Sequence, residues 1–105
     1  MSNRSEILAC EPLLAAPAVL APFSGMLRLG TSSWSFPGWE GLVYERAASE
    51  SLLSRRGLTA YSRHPLLNAV GIDRGFYAPV SRTQFEQYAS QVPDSFRFLI
   101  KAPDL

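Results

Sequence analysis

Apolar and polar positions recur with a helical period near the end of the chain, where Phe85, Tyr88, Ala89 and Val92 fall on one face. Ser81 precedes this run and Gln84 stands three residues later, the spacing of a capping box, while Pro93 stops the helix. The period then changes. From Phe96 to Pro103, Phe96, Phe98 and Ile100 alternate with Arg97 and Leu99, the signature of a strand. "MLRLG", Met26 to Gly30, alternates in the same way and predicts a first short strand. Leu67 to Tyr77, with Val70 and Ile72 at its centre, predicts a second that ends near Asp73. Between them, Ser49 to His64 places Leu52, Leu53, Leu58 and Tyr61 on a helical face interrupted by Gly57 and closed by Pro65. Strand, helix, strand, helix, strand is the order of an α/β fold with a parallel sheet, because parallel neighbours need crossover connections.

Composition narrows the function classes. With 105 residues, 47% of them hydrophobic, the chain has room for one small folded domain. A net charge of +1 supplies no global field for nucleic acid or anionic lipid, so any anion would have to be held by a local cluster. Cys10 is the only cysteine, which excludes an internal disulfide and fits a reducing compartment, so the cytoplasm is the expected location. Residues 1–25 form an Ala/Pro-rich extension, expected to be mobile or loosely docked, ahead of a folded unit over residues 26–105. Pro12, Pro17 and Pro22 break its apolar run well short of the roughly 20 residues that span a bilayer.

Three segments, "GTSSWSFPGWEG" with "VYE" soon after, "LTAYSRHPLLNAVGIDRGFYAPVS", and "TQFEQYASQVPDSFRFLIKAP", occur in an order and spacing that resembles the domain-of-unknown-function family 72, the YecE-like proteins. The resemblance covers about residues 26 to 105 and implies a partial TIM-type (β/α) barrel, its first three strands with the intervening helices. It brings no established activity and names no cofactor. Many members resemble "VEINSTFY" at the second strand, with an acid where this chain has Gly71, so no role for that acid carries over. A complete barrel takes about 250 residues. Three strands alone would leave edges and an apolar face open, so self-association through those edges is expected.

In such a barrel the carboxyl ends of the strands share one mouth, and candidate residues are sought there. The first exit offers Thr31, Ser32, Ser33, Trp34 and Trp39, whose hydroxyls, amides and indoles suit a polar or anionic ligand. Equally, both tryptophans can plug the mouth and shape the loop. The second exit offers Asp73 and Arg74, with Tyr77 four residues beyond Asp73. Strand alternation would send the first two to opposite faces unless the strand has ended. At the third, Lys101 follows an apolar strand, where a cation needs a reason. The expectation is a small polar or anionic ligand with Thr31, Ser32, Trp34, Arg74 and Tyr77 as binding residues and Asp73 and Lys101 as catalytic candidates. A competing reading has Trp34, Trp39 and Tyr44 stacking on nucleic-acid bases, which the near-neutral charge disfavours; a third is a nonfunctional fragment. His64, the only histidine, falls at a helix end away from the mouth and is expected to be structural. No metal-ligand spacing, phosphate-binding glycine loop or nucleophile motif occurs.

Overall fold

The computed structural model describes residues 7–10, 21–23, 25–72 and 79–101. Three parallel strands, β1 (Gly30–Thr31), β2 (Ala69–Ile72) and β3 (Arg97–Ile100), form one open sheet in that order. The connection from β1 to β2 carries a 3-10 turn at Pro37–Trp39, then helices α1 (Glu50–Arg56) and α2 (Leu58–Arg63). Helix α3 (Arg82–Ser90) joins β2 to β3. The chain is thus an α/β protein with helices between its strands, an arrangement compatible with a partial (β/α) barrel.

Helices α1 and α3 begin where the sequence supplies a side-chain acceptor for the first free amides, whereas α2 starts at Gly57 without one. Ser49 Oγ accepts the Leu52 N–H at 3.1 Å. At α3 the capping box is complete: Ser81 Oγ accepts from the Gln84 N–H, and Gln84 Oε1 accepts from the Ser81 N–H, both at 3.2 Å. Gly57 divides the predicted 49–64 helix into two, although helical bonds still run into and out of it, Gly57 N–H to Leu53 at 2.7 Å and Tyr61 N–H to Gly57 at 2.9 Å. A Cβ at position 57 would stand 2.6 Å from the Leu53 carbonyl oxygen, so the tight junction needs glycine.

The sheet is in register along its whole width, Gly30 beside Ala69 beside Arg97 and Thr31 beside Val70 beside Phe98. Alternation gives the sheet two faces. Val70 and Ile72 turn toward the helices and join Leu53, Leu58, Tyr61, Tyr88, Phe96 and Trp34 in the core, with Phe98 packed against it. Tyr61, Phe96 and Phe98 stack edge to face in sequence, with centroids 6.0 Å and 5.4 Å apart. Gly30, Ala69, Gly71, Arg97 and Leu99 have the opposite parity; Gly30, Arg97 and Leu99 are exposed there, Ala69 is half-buried, and Gly71 is buried beneath Ser32.

The first strand is shorter and later than the alternation of Met26–Gly30 predicts. The reason lies in Asn68, whose side chain does the work of a neighbouring strand: Oδ1 accepts the Leu29 N–H at 2.8 Å and Nδ2 donates to the Leu27 carbonyl at 2.9 Å. Its backbone N–H reaches the Leu29 carbonyl at 3.0 Å and its own carbonyl accepts from Arg97 at 3.2 Å, so one residue ties all three strands together at their amino ends. Residues 7–10, expected within a loosely docked extension, are instead bonded to the body. Cys10 N–H donates to Val43 at 2.8 Å, Glu45 N–H donates to Leu8 at 2.9 Å, and Ile7 is buried in the core.

Candidate functional site

The segment after β1 is held from beneath by two tyrosines. Tyr61, fully buried on α2, accepts the Thr31 N–H at 2.9 Å and donates to the Ala69 carbonyl at 3.0 Å, bridging β1 to β2. Thr31 Oγ1 lies 2.9 Å from the same hydroxyl and donates to the Ser33 carbonyl at 2.6 Å. Tyr44, also buried, donates its hydroxyl to the Trp34 carbonyl. Burial pushes both phenols above their usual range. For Tyr44 the neighbouring Tyr61 adds to that rise, while for Tyr61 hydrogen bonds from Thr31 offset part of it. Both hydroxyls therefore stay protonated and act as fixed hydrogen-bonding posts.

Trp34 is 4% exposed. Its ring meets Tyr88 edge to face at 5.0 Å, and its Nε1–H points toward the Ser54 carbonyl at 3.3 Å. Of the two roles open to the tryptophans, core packing accounts for the ring of Trp34. Trp39 is half-buried and stacks edge to face on Phe36 at 5.5 Å.

Above these posts lies a cleft of about 340 Å³ at the carboxyl ends of β1 and β2. The β1 loop contributes Ser32, Ser33, Trp34 and Ser35, helix α1 contributes Glu50 and Ser54, and β2 contributes Gly71 and Ile72. Gly71 makes room for the loop: a Cβ there would lie 3.2 Å from the Ser32 Cα and carbonyl oxygen, closer than side chains ordinarily sit. The Ser33 and Ser35 hydroxyls stand 3.4 Å apart and the Ser35 N–H faces Ser33 Oγ at 3.4 Å, long contacts that leave both groups able to turn to a ligand. Glu50 is exposed, and its side chain has no ion pair or hydrogen bond among the described residues.

Ser32 and Trp34 thus line the cleft, and Thr31 sits under it with its hydroxyl engaged internally. Lys101 is exposed at the end of β3, outside the cleft lining, with its N–H 3.5 Å from the Ile72 carbonyl. Asp73, Arg74 and Tyr77 lie outside the described residues. Glu50, Ser54 and Gly71 do not appear among the sequence candidates. Glu50 and Ser54 are four residues apart behind the Ser49 cap, which sets them on one helix face; the spacing gives the shared face but not the direction in which it turns.

His64 is buried at the C-cap of α2. Its Nδ1 accepts the Leu66 N–H at 3.2 Å, and burial holds its pKa below the usual 6.5, an effect partly offset by a hydrogen bond with the Leu42 backbone. It is a structural imidazole and is not among the residues that line the cleft.

Three parallel strands in one sheet with helices between them define the class, an α/β protein. The family described as protein of unknown function DUF72 matches residues 28–105, and the chain belongs to it. No curated protein and no solved structure matches the chain. Among the described residues, no helix is long and apolar enough to cross a membrane.

Proposed function

We propose that this chain forms part of a TIM-type barrel and that its β1–β2 cleft binds a small polar ligand. The observation that carries the reading is the convergence of the Ser32, Ser33 and Ser35 loop, the α1 pair Glu50 and Ser54, and Gly71 around one cleft at the carboxyl ends of two parallel strands. The described lining holds one carboxylate and no cation, which favours a neutral or donor-rich ligand over an anion at this point. Asp73 and Arg74 follow directly on Ile72, and Lys101 is bonded to the Ile72 carbonyl, so these three remain candidates for contacts to a reacting or charged group. No reaction is assigned.

The test is mapping of backbone amide shifts during titration with small polyols and amines. Perturbations should cluster at Ser32, Ser33, Ser35, Glu50 and Gly71 and shrink in Ser32→Val. Shifts scattered elsewhere, or none, would remove the reading. Unchanged binding in Lys101→Ala and Asp73→Ala would remove those two residues alone. Of the three rings in the nucleic-acid reading, Trp34 and Tyr44 are buried and Trp39 is half-buried, which weighs against stacking on bases.

A further inference from the structure

The connection between β1 and α1 has an extended segment from earlier in the chain laid against it. Residues 7–10 run antiparallel to residues 43–45, with Ala9 opposite Tyr44. Two backbone bonds bracket that pair: the Cys10 N–H donates to the Val43 carbonyl at 2.8 Å, and the Glu45 N–H donates to the Leu8 carbonyl at 2.9 Å. Strand alternation sets Ile7 and Ala9 on the side of Tyr44. Ile7 is buried in the cluster that holds Tyr44 and Trp34, while Leu8, on the other side, is exposed. The Cys10 thiol adds a bond of 3.2 Å to the Gly41 carbonyl. Among the described residues, the backbone bonds that residues 43–45 make outside their own loop are the two to residues 7–10.

The residue gripped in this way is the one that orients the cleft. The Tyr44 hydroxyl donates to the Trp34 carbonyl, and that carbonyl belongs to the same planar peptide unit as the Ser35 N–H. In a trans peptide the N–H points away from the carbonyl, so holding the carbonyl on Tyr44 fixes the opposite direction for the Ser35 donor. Ser35 lines the cleft, and among the described residues its N–H meets the Ser33 hydroxyl alone, at 3.4 Å.

We propose that residues 7–10 are a strap that positions a backbone donor of the β1–β2 cleft: the strap holds Tyr44, Tyr44 holds the Trp34–Ser35 peptide, and, on the ligand-binding reading of the cleft, the Ser35 N–H is presented to an oxygen of the ligand. Ile7 and Tyr44 are positioning residues. Release of the strap removes Ile7 from the cluster around Tyr44 and frees the backbone of Val43 and Glu45, so the Trp34–Ser35 peptide is able to turn. By linkage, a ligand held on the Ser35 N–H keeps the strap seated.

The experiment follows amide shifts and hydrogen exchange of the full chain, first alone and then with glycerol or ethanolamine as probes. Ile7→Asp puts a charge in an apolar seat and should speed exchange at Cys10 and Glu45 about ten-fold and move the Ser35 amide, with the Tyr61 amide still protected. Ile7→Val should keep the parent pattern. Cys10→Pro lacks the donor to Val43 and should act like Ile7→Asp at Glu45 and Ser35, while Cys10→Ser should not. Tyr44→Phe separates the links: it should move the Ser35 amide and leave Cys10 protected. A probe that binds the parent chain should slow exchange at Cys10 and Glu45 and should bind Ile7→Asp about five-fold more weakly, the scale of one hydrogen bond. Failure of both probes to bind the parent removes the ligand-binding reading alone, and the strap is then judged on the Ser35 amide. Unchanged exchange at Cys10 and Glu45 in Ile7→Asp, a Ser35 amide unmoved while Glu45 loses protection, or equal probe affinity in the parent and Ile7→Asp would each overturn the proposal.

Discussion

On the helix side of the sheet, Val70, Ile72 and Phe96 meet Trp34, Leu53, Leu58 and Tyr61 in a closed apolar cluster; on the other side Arg97 and Leu99 are exposed, while the β1 loop covers Gly71 through Ser32. The same strands build both faces, and alternation alone decides which residue meets which environment. The comparison teaches how the β1 loop keeps its shape. That loop, rich in glycine, proline and serine, is fastened to the closed side through the Trp34 ring and the Tyr44 and Tyr61 hydroxyls, so residues that look like ligand-binding aromatics are its foundations.

The largest break in this comparison should come from Trp34→Ala. Removing a buried indole from the closed side should cost about 3–5 kcal/mol in chemical denaturation, whereas Leu99→Ala on the open side should stay within about 0.5 kcal/mol. Tyr61→Phe keeps the ring but strips the bridge between the Thr31 N–H and the Ala69 carbonyl, with an expected loss of about 2 kcal/mol. Its effect should also reach the cleft, as shift changes at Ser32 and Ser33. Asn68→Ala removes two side-chain bonds at the amino ends of the strands from a half-buried position, and about 1–2 kcal/mol should be lost.

Titration sharpens the same contrast. His64 has a folded pKa below its unfolded value of 6.5, so the unfolded state takes up the proton first. Stability should be whole above pH 6.5 and should decline as pH falls from there through the lower folded value; His64→Gln should flatten that slope in a pH series of melts. Tyr44 and Tyr61 have raised values, so their contribution is complete below pH 10.0 and should be lost as pH rises beyond it. The smallest effect belongs to the exposed Arg82–Glu86 pair on α3, where Arg82→Gln should cost no more than about 0.5 kcal/mol.

Much of the fold is legible in the chain because local rules agree with tertiary ones. Ser81 and Gln84 announce α3, Gly57 announces the break between α1 and α2, and the alternation of Phe96 to Ile100 announces β3. The first strand is misplaced by the same kind of reasoning, since the alternation of Met26 to Gly30 cannot reveal that an asparagine almost forty residues later takes the place of a ladder. The site is less legible. Ser32 is found from its strand exit and Trp34 too, though its ring serves the core; Glu50 and Ser54 come from a helix whose packing angle no local pattern encodes. Residues 7–10 seat on residues 43–45 through a long-range pairing that lies outside any sequence window.

The claim that joins these results is that the β1 loop belongs to the closed side while the outer edge of β3 belongs to the open one. Arg97 and Lys101 direct their N–H groups to β2, so by alternation those of Phe98 and Ile100 face the outer edge. Residue-resolved amide hydrogen exchange on a dilute sample measures both regions at once. The account predicts that Thr31 and Tyr44 exchange at least about a hundred-fold more slowly than Phe98 and Ile100. Equal rates, or a loop that exchanges faster than the edge, would contradict it.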